Sequence, residues 1–415
     1  MLKSGDSGNN KKNVAVIVQN GDGGGAERMA ANMTLGLEEY CNVFFVLFDG
    51  SNIIYDHTGK VIDLKIPPLR EAGPLKRIGN ICKRVKALRA IKKKYDIDAA
   101  ISHLDGADLV NILSGRGRAG RKCRIISVYH SVPSVNESCS LPHRLFHRFI
   151  AAFSDRYIMV SKPAARDMAD NFGVPGKKLS VIYNFSDLKR IERLKDAKLP
   201  EDAERFFAEH KRVLVNAGRM EKVKRQERLV KLLNSLRLEK GMRDTGLVIL
   251  GDGPERENLV KIVKKFSLEE HVYMPGNVDN PFMYMSRSAV YVLCSDYEGL
   301  PMALTEAAAC SCPAVSCDMR SGAREILAPK TEWSAHTDDI EIAEYGILTK
   351  PFDYPGGENF TPDDGDPAQG FLTEAVWKML TDEELRMGYT AKSHECAYRF
   401  SPERIIKKWM KLIAE

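Results

Sequence analysis

Residues 295–318 read SDYEGLPMALTEAAACSCPAVSCD. The apolar run Ala289–Leu293 before them is typical of a buried strand that closes at Cys294. Pro301 suits the first turn of a helix, because proline has no N–H to leave unpaired and a preset φ. The segment is therefore predicted as a strand, an acidic loop and the start of a helix. Such a helix start carries unpaired N–H groups and partial positive charge, which favours a phosphate.

Two carboxylates, Glu298 and Glu306, lie on either side of this predicted helix start. If both were helical, a rise of ~1.5 Å per residue would separate them by ~12 Å. The paired carboxylates of glycosidases are about 5–9.5 Å apart. Our hypothesis is that the two glutamates hold opposite ends of one elongated ligand with a diphosphate in the middle. The alternative is one solvated loop glutamate and one glutamate on a helix face.

The length and composition indicate a two-domain globular enzyme. The chain has 415 residues, of which 44% are hydrophobic and 28% charged, and this length exceeds one ordinary core. No apolar run approaches the ~20 residues that span a bilayer. The polar start predicts a disordered tail over 1–12 without a signal peptide, and hence a cytoplasmic protein. Nine scattered cysteines predict buried, reduced thiols.

Apolar strand patterns alternate with helical patterns in both halves of the chain. The predicted strands of the first half begin near Asn13, Ala99, Arg124, Asp155 and Leu179. Those of the second half begin near Val213, Gly246, His271, Val290 and Ala314. This alternation favours doubly wound parallel sheets. We predict an N-terminal domain over 13–186, a C-terminal domain over 187–398 that opens with a hinge and a short helix, and a terminal helix within 399–415.

A strongly basic segment lies between residues 76 and 94, which include nine Lys and Arg. Ile78, Ile81, Val85 and Leu88 recur there at helical spacing, so the segment is predicted as a basic amphipathic helix. Two interpretations stay open: a solvated helix face, or a face that binds anionic lipid headgroups. Nucleic acid is disfavoured, because no recognition module or interleaved aromatic residues accompany the charge.

Two loops carry the features of an anion site. The glycine loop at 23–28 reads GGGAER and suits close approach of the backbone to a phosphate or sugar. It lacks the GxGxxG spacing, which disfavours a dinucleotide-binding fold. The second loop, 218–224, reads GRMEKVK. Its cations Arg219 and Lys224 would neutralise a diphosphate.

Several histidines could suggest other chemistry. His130 ends a predicted strand, where a lone histidine is more often structural than catalytic. His143 with His147, and His103 with Asp105, are the candidate metal clusters. Each lacks a third ligand at usable spacing, so surface or acceptor-site histidines are the favoured interpretation.

These motifs resemble those of the retaining family 4 glycosyltransferases, also called glycosyl transferases group 1. The likeness lies in Glu298 and Glu306 with seven residues between them, in GGGAER, and in Gly218-Arg219 followed by Lys224, which fits the family pattern better than Lys222 or Arg225. It extends from about residue 13 to about residue 409. One departure is Ser311, where members usually have glycine in a left-handed position past a helix end.

The resemblance implies the GT-B fold, an α/β architecture of two Rossmann-like, doubly wound parallel-sheet domains that face each other across a cleft. It also implies that the terminal helix crosses back onto the N-terminal domain. Ser321–Ile326 adds a likeness to bacterial enzymes that build surface polysaccharide or lipopolysaccharide.

The resemblance further implies the site residues. Glu298 would grip hydroxyls of the donor sugar, His130 would hydrogen bond to the same sugar, and Arg219 and Lys224 would meet the diphosphate in place of a metal ion. Glu306 would hold the ribose. The complete set of donor-binding residues would be Gly24, Gly25, Asn184, Gly218, Gly253, Pro275, Gly299, Leu300, Pro301, Leu304 and Glu306.

The activity expected from this resemblance is retaining transfer of a hexose or N-acetylhexosamine. The donor would be a nucleoside diphosphate sugar, with UDP as the expected carrier, and the acceptor a saccharide or glycolipid at the inner membrane face. Neither a metal nor a cofactor is expected. Two alternatives remain: a sugar-nucleotide epimerase of the same fold, and, less favoured, a nicotinamide-dependent oxidoreductase.

Overall fold

The computed structural model describes residues 11–22, 24–67, 73–115, 123–136, 138–352 and 365–415. The chain divides into two compact units. Unit 1 comprises the residues up to Val160 together with Ala164–Phe185 and Ile405–Glu415. Unit 2 comprises Ser161–Pro163 and Ser186–Arg404. Of the predicted tail over 1–12, residues 1–10 lie outside the described residues. Lys12 already belongs to the first strand.

Unit 1 is built on a seven-stranded parallel sheet, sheet A. Its strands are β1 (Lys12–Gly21), β2 (Cys41–Ile53), β3 (Lys60–Asp63), β4 (Ala99–His103), β5 (Arg124–Tyr129), β6 (Arg156–Met159) and β7 (Leu179–Val181). The helices of this part of the chain are α1 (Gly25–Leu37), α2 (Pro74–Lys94), α3 (Asp105–Leu113), α4 (Pro133–Asn136), α5 (Leu141–Phe153) and α6 (Lys162–Phe172).

Unit 2 contains a second seven-stranded sheet, sheet B. Its strands are β8 (Arg212–Ala217), β9 (Thr245–Leu250), β10 (Val272–Gly276), β11 (Val290–Leu293), β12 (Ala314–Cys317), β13 (Ile340–Ile342) and β14 (Ile347–Thr349). The helices that follow α6 are α7 (Leu188–Leu194), α8 (Glu201–Glu209), α9 (Gln226–Leu238), α10 (Arg256–Lys265), α11 (Phe282–Met285), α12 (Met302–Ala309), α13 (Ala323–Leu327), α14 (Pro367–Thr381), α15 (Glu383–Tyr398) and α16 (Pro402–Ala414).

The two sheets share one strand order. Sheet A runs β3-β2-β1-β4-β5-β6-β7, and sheet B runs β10-β9-β8-β11-β12-β14-β13. Pairing is parallel throughout sheet A, whereas in sheet B β13 pairs antiparallel with β14. In each sheet the chain reverses its direction of travel beside the first strand, between β1 and β4 and between β8 and β11. Open α/β sheets bind ligands at such switch points, outside the carboxyl ends of the strands. The prediction of two doubly wound parallel-sheet domains is confirmed.

The first strand of each sheet lies at the centre of its unit's core. Val14–Val18 of β1 and Leu214–Val215 of β8 are fully buried, as expected for parallel strands that are covered on both faces. Helix α16 packs within unit 1, where Ile405, Ile406 and Trp409 are buried. These apolar residues recur at helical spacing, so one stripe of α16 faces the core.

Several local predictions were wrong. Pro301 is the N-cap of α12 and does not lie in its first turn. The strand predicted over 179–184 ends at Val181, and the hinge after residue 187 contains two helices, α7 and α8. Ser311 has a φ of 60°, so the left-handed position expected past the end of α12 is confirmed. None of the described helices is long and apolar enough to cross a membrane.

Candidate active site

The switch point of sheet B brings two loops together. One loop follows β8 and leads into α9, and the other follows β11 and leads into α12. Because β8 and β11 are neighbouring parallel strands, both loops leave the carboxyl edge of the sheet side by side. The backbone N–H of Asp296 donates to the carbonyl of Val223 over 2.9 Å, so the loops are hydrogen-bonded directly to each other.

Lys224 and Glu298 form an ion pair between these loops. Lys224 Nζ lies 2.5 Å from Glu298 Oε1, and the two side chains are 23% and 16% exposed. Ser295 Oγ donates to the same oxygen over 2.9 Å. Glu298 Oε1 therefore accepts two hydrogen bonds, and Oε2 takes part in neither of them. The structure thus brings together two residues that the sequence predicted as catalytic.

A second ion pair lies beside the first. Arg225 Nε donates to both carboxylate oxygens of Asp296 at 2.9 Å, and the two side chains are buried, at 9% and 6% exposure. Burial raises the pKa of the Asp296 carboxyl, and the hydrogen bond from Arg225 opposes this rise. Neither Arg225 nor Asp296 was predicted as a site residue from the sequence. Arg225 directly follows Lys224, and Asp296 precedes Glu298 by two residues; these positions were the sequence feature that could have identified them.

The start of α12 is held by a neighbouring segment of unit 2. Ser321 Oγ donates to the Gly299 carbonyl over 2.9 Å. A Cβ on Gly322 would collide with Pro301 Cδ, and Gly322 has a φ of 85°, so only glycine fits here. Leu304 and Glu306 of α12 are buried, as are Gly299, Leu300 and Pro301. The predicted donor-binding residues of this segment therefore form a closely packed helix start.

Backbone packing shapes the remaining predicted residues of unit 2. A Cβ on Gly251 would collide with the Gly218 carbonyl and one on Gly253 with the Met220 carbonyl, so these glycines let the loops after β8 and β9 touch. Pro275 is half-buried at the end of β10. Arg219 pairs with a residue of its own loop: its side chain is 62% exposed, and its Nε lies 3.2 Å from Glu221 Oε1.

The glycine loop of unit 1 leads into α1, as predicted. Gly24 is the N-cap of α1 and provides no side-chain cap, and Gly25 is exposed with open space where a Cβ would be. Gly23 lies outside the described residues. A Cβ on Gly24 would meet the Glu27 carboxylate, so Glu27 folds back over this helix start. Burial raises the pKa of Glu27.

His130 lies at the carboxyl edge of sheet A and pairs with His103, which was grouped with Asp105 from the sequence. His130 Nε2 and His103 Nδ1 are 2.8 Å apart, and the rings stack at 5.1 Å. Burial lowers the pKa of His130 to about 4. The pKa of His103 is also lowered, first by burial and then by His130. Both rings are therefore neutral at pH 7. Asn184 is buried three residues after β7.

The other histidine predictions need correction. His147 is fully buried, not on the surface, and it hydrogen bonds to Tyr157 Oη over 2.9 Å. His103 is likewise buried. Within the residues that the structure describes, no group of three or more His, Cys, Asp or Glu is placed to hold a metal ion. All nine cysteines are free thiols, and of these Cys82 and Cys139 are exposed.

Family models match both units of the chain. The model for Glycosyltransferase Family 4 matches residues 23–190, and the model for Glycosyl transferases group 1 matches residues 199–345. The chain belongs to the family 4 glycosyltransferases. Its fold is GT-B, the fold of the glycosyltransferase structures that it resembles.

Known proteins of this class resemble the chain over most of its length. An uncharacterised glycosyltransferase of Methanocaldococcus jannaschii is 27% identical over 80% of this chain and 83% of its own. The N-acetylgalactosamine-N,N'-diacetylbacillosaminyl-diphospho-undecaprenol 4-alpha-N-acetylgalactosaminyltransferase of Campylobacter jejuni is 28% identical over 71% of this chain and 70% of its own. HepE of Anabaena, solved in complex with UDP and glucose, superposes with a TM-score of 0.71 at 16% identity, covering 97% and 99% of the two chains.

Proposed function

We propose that this glycosyltransferase is retaining and metal-independent, and that it transfers a hexose or N-acetylhexosamine from a UDP-sugar to a lipid-linked saccharide. One observation carries the proposal: a lysine and a glutamate, 2.5 Å apart, face each other at the switch point of sheet B. Nucleotides bind parallel α/β sheets at this position, and the two side chains are those that a diphosphate and a sugar hydroxyl require.

Lys224 supplies the positive charge for the leaving group. Its ammonium has three donors, of which the bond to Glu298 uses one, so two can meet phosphate oxygens. Arg219 is exposed, and its pair with Glu221 is a surface ion pair, which contributes about 0–1 kcal/mol and is readily exchanged for a ligand. These cations would stabilise the negative charge that grows on the diphosphate as it departs. Their presence supports transfer without a metal ion.

Glu298 suits binding better than nucleophilic attack. Its Oε1 already accepts hydrogen bonds from Lys224 and Ser295, while Oε2 takes part in neither bond and is left for a sugar hydroxyl. We therefore propose transfer on one face of the sugar. The bond from the anomeric carbon to the acceptor oxygen forms as the bond to the diphosphate breaks, and a diphosphate oxygen takes the acceptor's proton. His130 would contact the sugar, and buried Glu306 the ribose.

The relatives support the choice of donor and acceptor. The Campylobacter enzyme is named for transfer of N-acetylgalactosamine to a saccharide on diphospho-undecaprenol, and the Anabaena structure holds UDP and glucose. A UDP-sugar donor and an acceptor on a polyprenyl diphosphate, within cell-surface polysaccharide synthesis, are therefore the substrates we propose. The expected place of action is the cytoplasmic face of the membrane.

The test is a panel of UDP-glucose, UDP-galactose and their N-acetylated forms, with a polyprenyl-diphosphate-linked N-acetylhexosamine as acceptor. We expect an α-linked product by NMR, with turnover unaffected by excess EDTA. Loss of turnover on chelation, restored by magnesium, would refute metal independence, and a β-linked product would refute retention. Formation of an epimeric UDP-sugar in the absence of acceptor would favour the epimerase alternative.

Three substitutions divide the proposed roles within unit 2. Lys224→Ala and Glu298→Gln should each lower kcat by ~10²-fold or more, the magnitude found for preorganised electrostatic groups. Glu306→Ala should instead weaken UDP binding measured by calorimetry. Wild-type turnover in the first two variants, or unchanged UDP affinity in the third, would contradict the assignment.

We also propose that α2 binds an anionic membrane surface, and the structure selects the residues for this role. Arg84 is buried and donates to the Ile66 carbonyl, and buried Lys92 donates to the Asn111 carbonyl, so both belong to the fold. The solvent-exposed set is Lys76, Arg77, Lys83, Lys86, Arg89, Lys93 and Lys94. Leu75 and Ile78 at the start of α2 are 86% and 58% exposed. Cations beside exposed apolar side chains suit an interfacial helix.

Flotation with phosphatidylglycerol-containing vesicles tests the membrane proposal. Replacing both Lys83 and Lys86 with Glu should abolish binding at low salt, since each cation near an anionic surface contributes ~1 kcal/mol. The matched control replaces Lys264 and Lys265, two exposed residues at the end of α10, with Glu and should float like the parent. Binding that persists in the α2 variant, or an equal loss in the control, would overturn the proposal.

A further inference from the structure

A strained backbone position joins the loop after β8 to helix α9. Arg225 is the N-cap of α9 and has a φ of 51° and a ψ of 36°, a left-handed conformation. For a residue with a Cβ this conformation is less favourable than the right-handed one, and glycine would avoid most of that cost. An arginine at this position therefore needs compensation from its side chain.

The compensation is a buried ion pair with the neighbouring loop, in which one arginine N–H is shared between two carboxylate oxygens. Arg225 Nε lies 2.9 Å from each oxygen of Asp296, and its guanidinium also lies 3.6 Å from Glu227. Removing one partner of a buried pair leaves the other without compensation and costs more than a surface pair does. Together with the hydrogen bond from the Asp296 N–H to the Val223 carbonyl, the pair therefore fixes the distance between the loop after β8 and the loop after β11.

This fixed distance governs the Lys224–Glu298 pair. Lys224 immediately precedes Arg225, and Glu298 follows Asp296 by two residues. A shift of either loop would move the Lys224 ammonium and the Glu298 carboxylate relative to each other and to a bound diphosphate. Misplacement of a reacting group by about 1 Å can cost ~10²-fold in rate.

We propose that Arg225 and Asp296 are positioning residues for sugar transfer, which hold the Lys224–Glu298 pair in the geometry that the donor requires. The proposal rests on the proposed function of Lys224 and Glu298. It assigns no contact with substrate to Arg225 or Asp296.

The chain contains a second Arg–Asp pair for comparison at the opposite end of β8, with more exposed side chains, at 38% and 33%. Arg212 NH1 donates to both oxygens of Asp244 at 2.8 and 2.7 Å. Arg212 begins β8 and Asp244 directly precedes β9, so this pair lies at the amino edge of sheet B. The chemistry is the same, but neither residue adjoins a predicted site residue.

Three variants separate the backbone from the side chain. Arg225→Gly relieves the left-handed backbone but removes the ion pair, Arg225→Lys keeps a cation, and Arg212→Ala removes the control pair. We expect Arg225→Gly to lower kcat by about 10- to 100-fold with less than about a threefold change in KM for the UDP-sugar. Arg225→Lys should recover part of that loss, and Arg212→Ala should keep the parent's kcat. Hydrogen exchange of residues 222–226 and 295–299 should accelerate in Arg225→Gly alone.

The outcomes distinguish this inference from the proposed function. Parent-like kcat in Arg225→Gly, while Lys224→Ala is inactive, would overturn the positioning role and leave the function intact. Equal losses in Arg225→Gly and Arg212→Ala would also overturn it, because the effect would then be general destabilisation. Full activity of Lys224→Ala would instead refute the proposed function. Should Arg225→Gly not fold, Asp296→Glu, which keeps the charge but lengthens the side chain, provides the same comparison.

Discussion

Two hydrogen-bonded histidine pairs, one in each unit, differ in what surrounds them. His103 and His130 follow β4 and β5 at the carboxyl edge of sheet A, 2.8 Å apart. Their outer ring nitrogens, His103 Nε2 and His130 Nδ1, are buried without a hydrogen-bond partner among the described residues. His210 and His271 precede β8 and β10 at the amino edge of sheet B, 2.9 Å apart, and every ring nitrogen has a partner.

The second pair forms a complete chain of hydrogen bonds. Arg237 donates to His271 Nε2 over 2.7 Å, so His271 Nδ1 must donate to His210 Nε2, and His210 Nδ1 donates to the Phe206 carbonyl over 2.9 Å. Buried polar groups without partners cost free energy, and proteins retain them where a ligand will satisfy them. The amino-edge pair is therefore satisfied within the fold, whereas the carboxyl-edge pair leaves two buried ring nitrogens without partners in the described part of the chain, as expected if His130 binds the donor sugar as proposed.

The largest expected effect concerns His130. His130→Leu should lower kcat by ~10²-fold, because a hydrogen bond to the donor sugar is lost. Its free energy of unfolding should fall by less than that of His210→Leu, because removing a buried nitrogen that has no partner among the described residues offsets part of the loss of the hydrogen bond to His103. Steady-state kinetics with the UDP-sugar selected from the panel, and urea unfolding, provide the two measurements. A large loss of stability with unchanged kcat would reverse the roles of the two pairs.

The converse effect is expected at the amino edge. His210→Leu should lower the free energy of unfolding by about 2–3 kcal/mol, because the Phe206 carbonyl and His271 lose their partner, while kcat stays that of the parent. Urea unfolding at neutral pH measures the change. Exposed His394 provides the control, and His394→Ala should leave both quantities unchanged. An activity loss in His210→Leu, in protein shown to be folded, would break the comparison.

A smaller effect is expected when pH is changed. Burial lowers the pKa of His130 to about 4 and also lowers those of His103 and His271, whereas each histidine titrates near pH 6.5 when unfolded. The unfolded chain therefore binds more protons than the folded chain between about pH 7 and 5. The free energy of unfolding should fall over that range by about 1–3 kcal/mol. Urea unfolding at several pH values measures the slope, which should be shallower in His130→Leu; an unchanged slope would contradict the pKa assignment.

The smallest effect concerns backbone strain at the amino edge of sheet B. Ser311, three residues before β12, is exposed and left-handed. Ser311→Gly should raise the free energy of unfolding by about 0.5–1 kcal/mol without changing kcat, whereas Arg225→Gly relieves strain at the carboxyl edge and should reduce kcat. Ser311→Ala, which keeps a Cβ, should give no gain. A loss of activity in Ser311→Gly would show that strain does not distinguish the two edges.

The sequence predicted the central strands of both sheets and the residue types of the candidate site. Apolar runs such as Val14–Val18 identify parallel strands, because strands covered on both faces must be apolar throughout. The short strands β13 and β14 were not predicted, since three residues are too few for a periodic pattern. The basic amphipathic helix was predicted, but helical spacing alone does not show which of its apolar residues the sheet will cover, and Leu75 and Ile78 at the start of α2 are exposed.

The contacts between site residues were harder to predict from the sequence. Lys224 and Glu298 were each predicted from their motifs, but their contact was not, and Arg225 was not chosen because Lys224 fits the family pattern better. His103 was grouped with Asp105, its neighbour in sequence, although its partner is His130, 27 residues away. These contacts depend on which strands are neighbours.

The sequence by itself determined the fold class, the glycine loops and the acidic helix start, because apolar periodicity, missing Cβ atoms and helix-start residues act locally. Only the tertiary structure decided that Arg225 meets Asp296, 71 residues away, and that His103 meets His130. The physical reason is that neighbouring parallel strands deliver their following loops to one edge. Strand order sets which loops meet, and this order results from packing of the whole sheet, whereas separation along the chain contains no information about it.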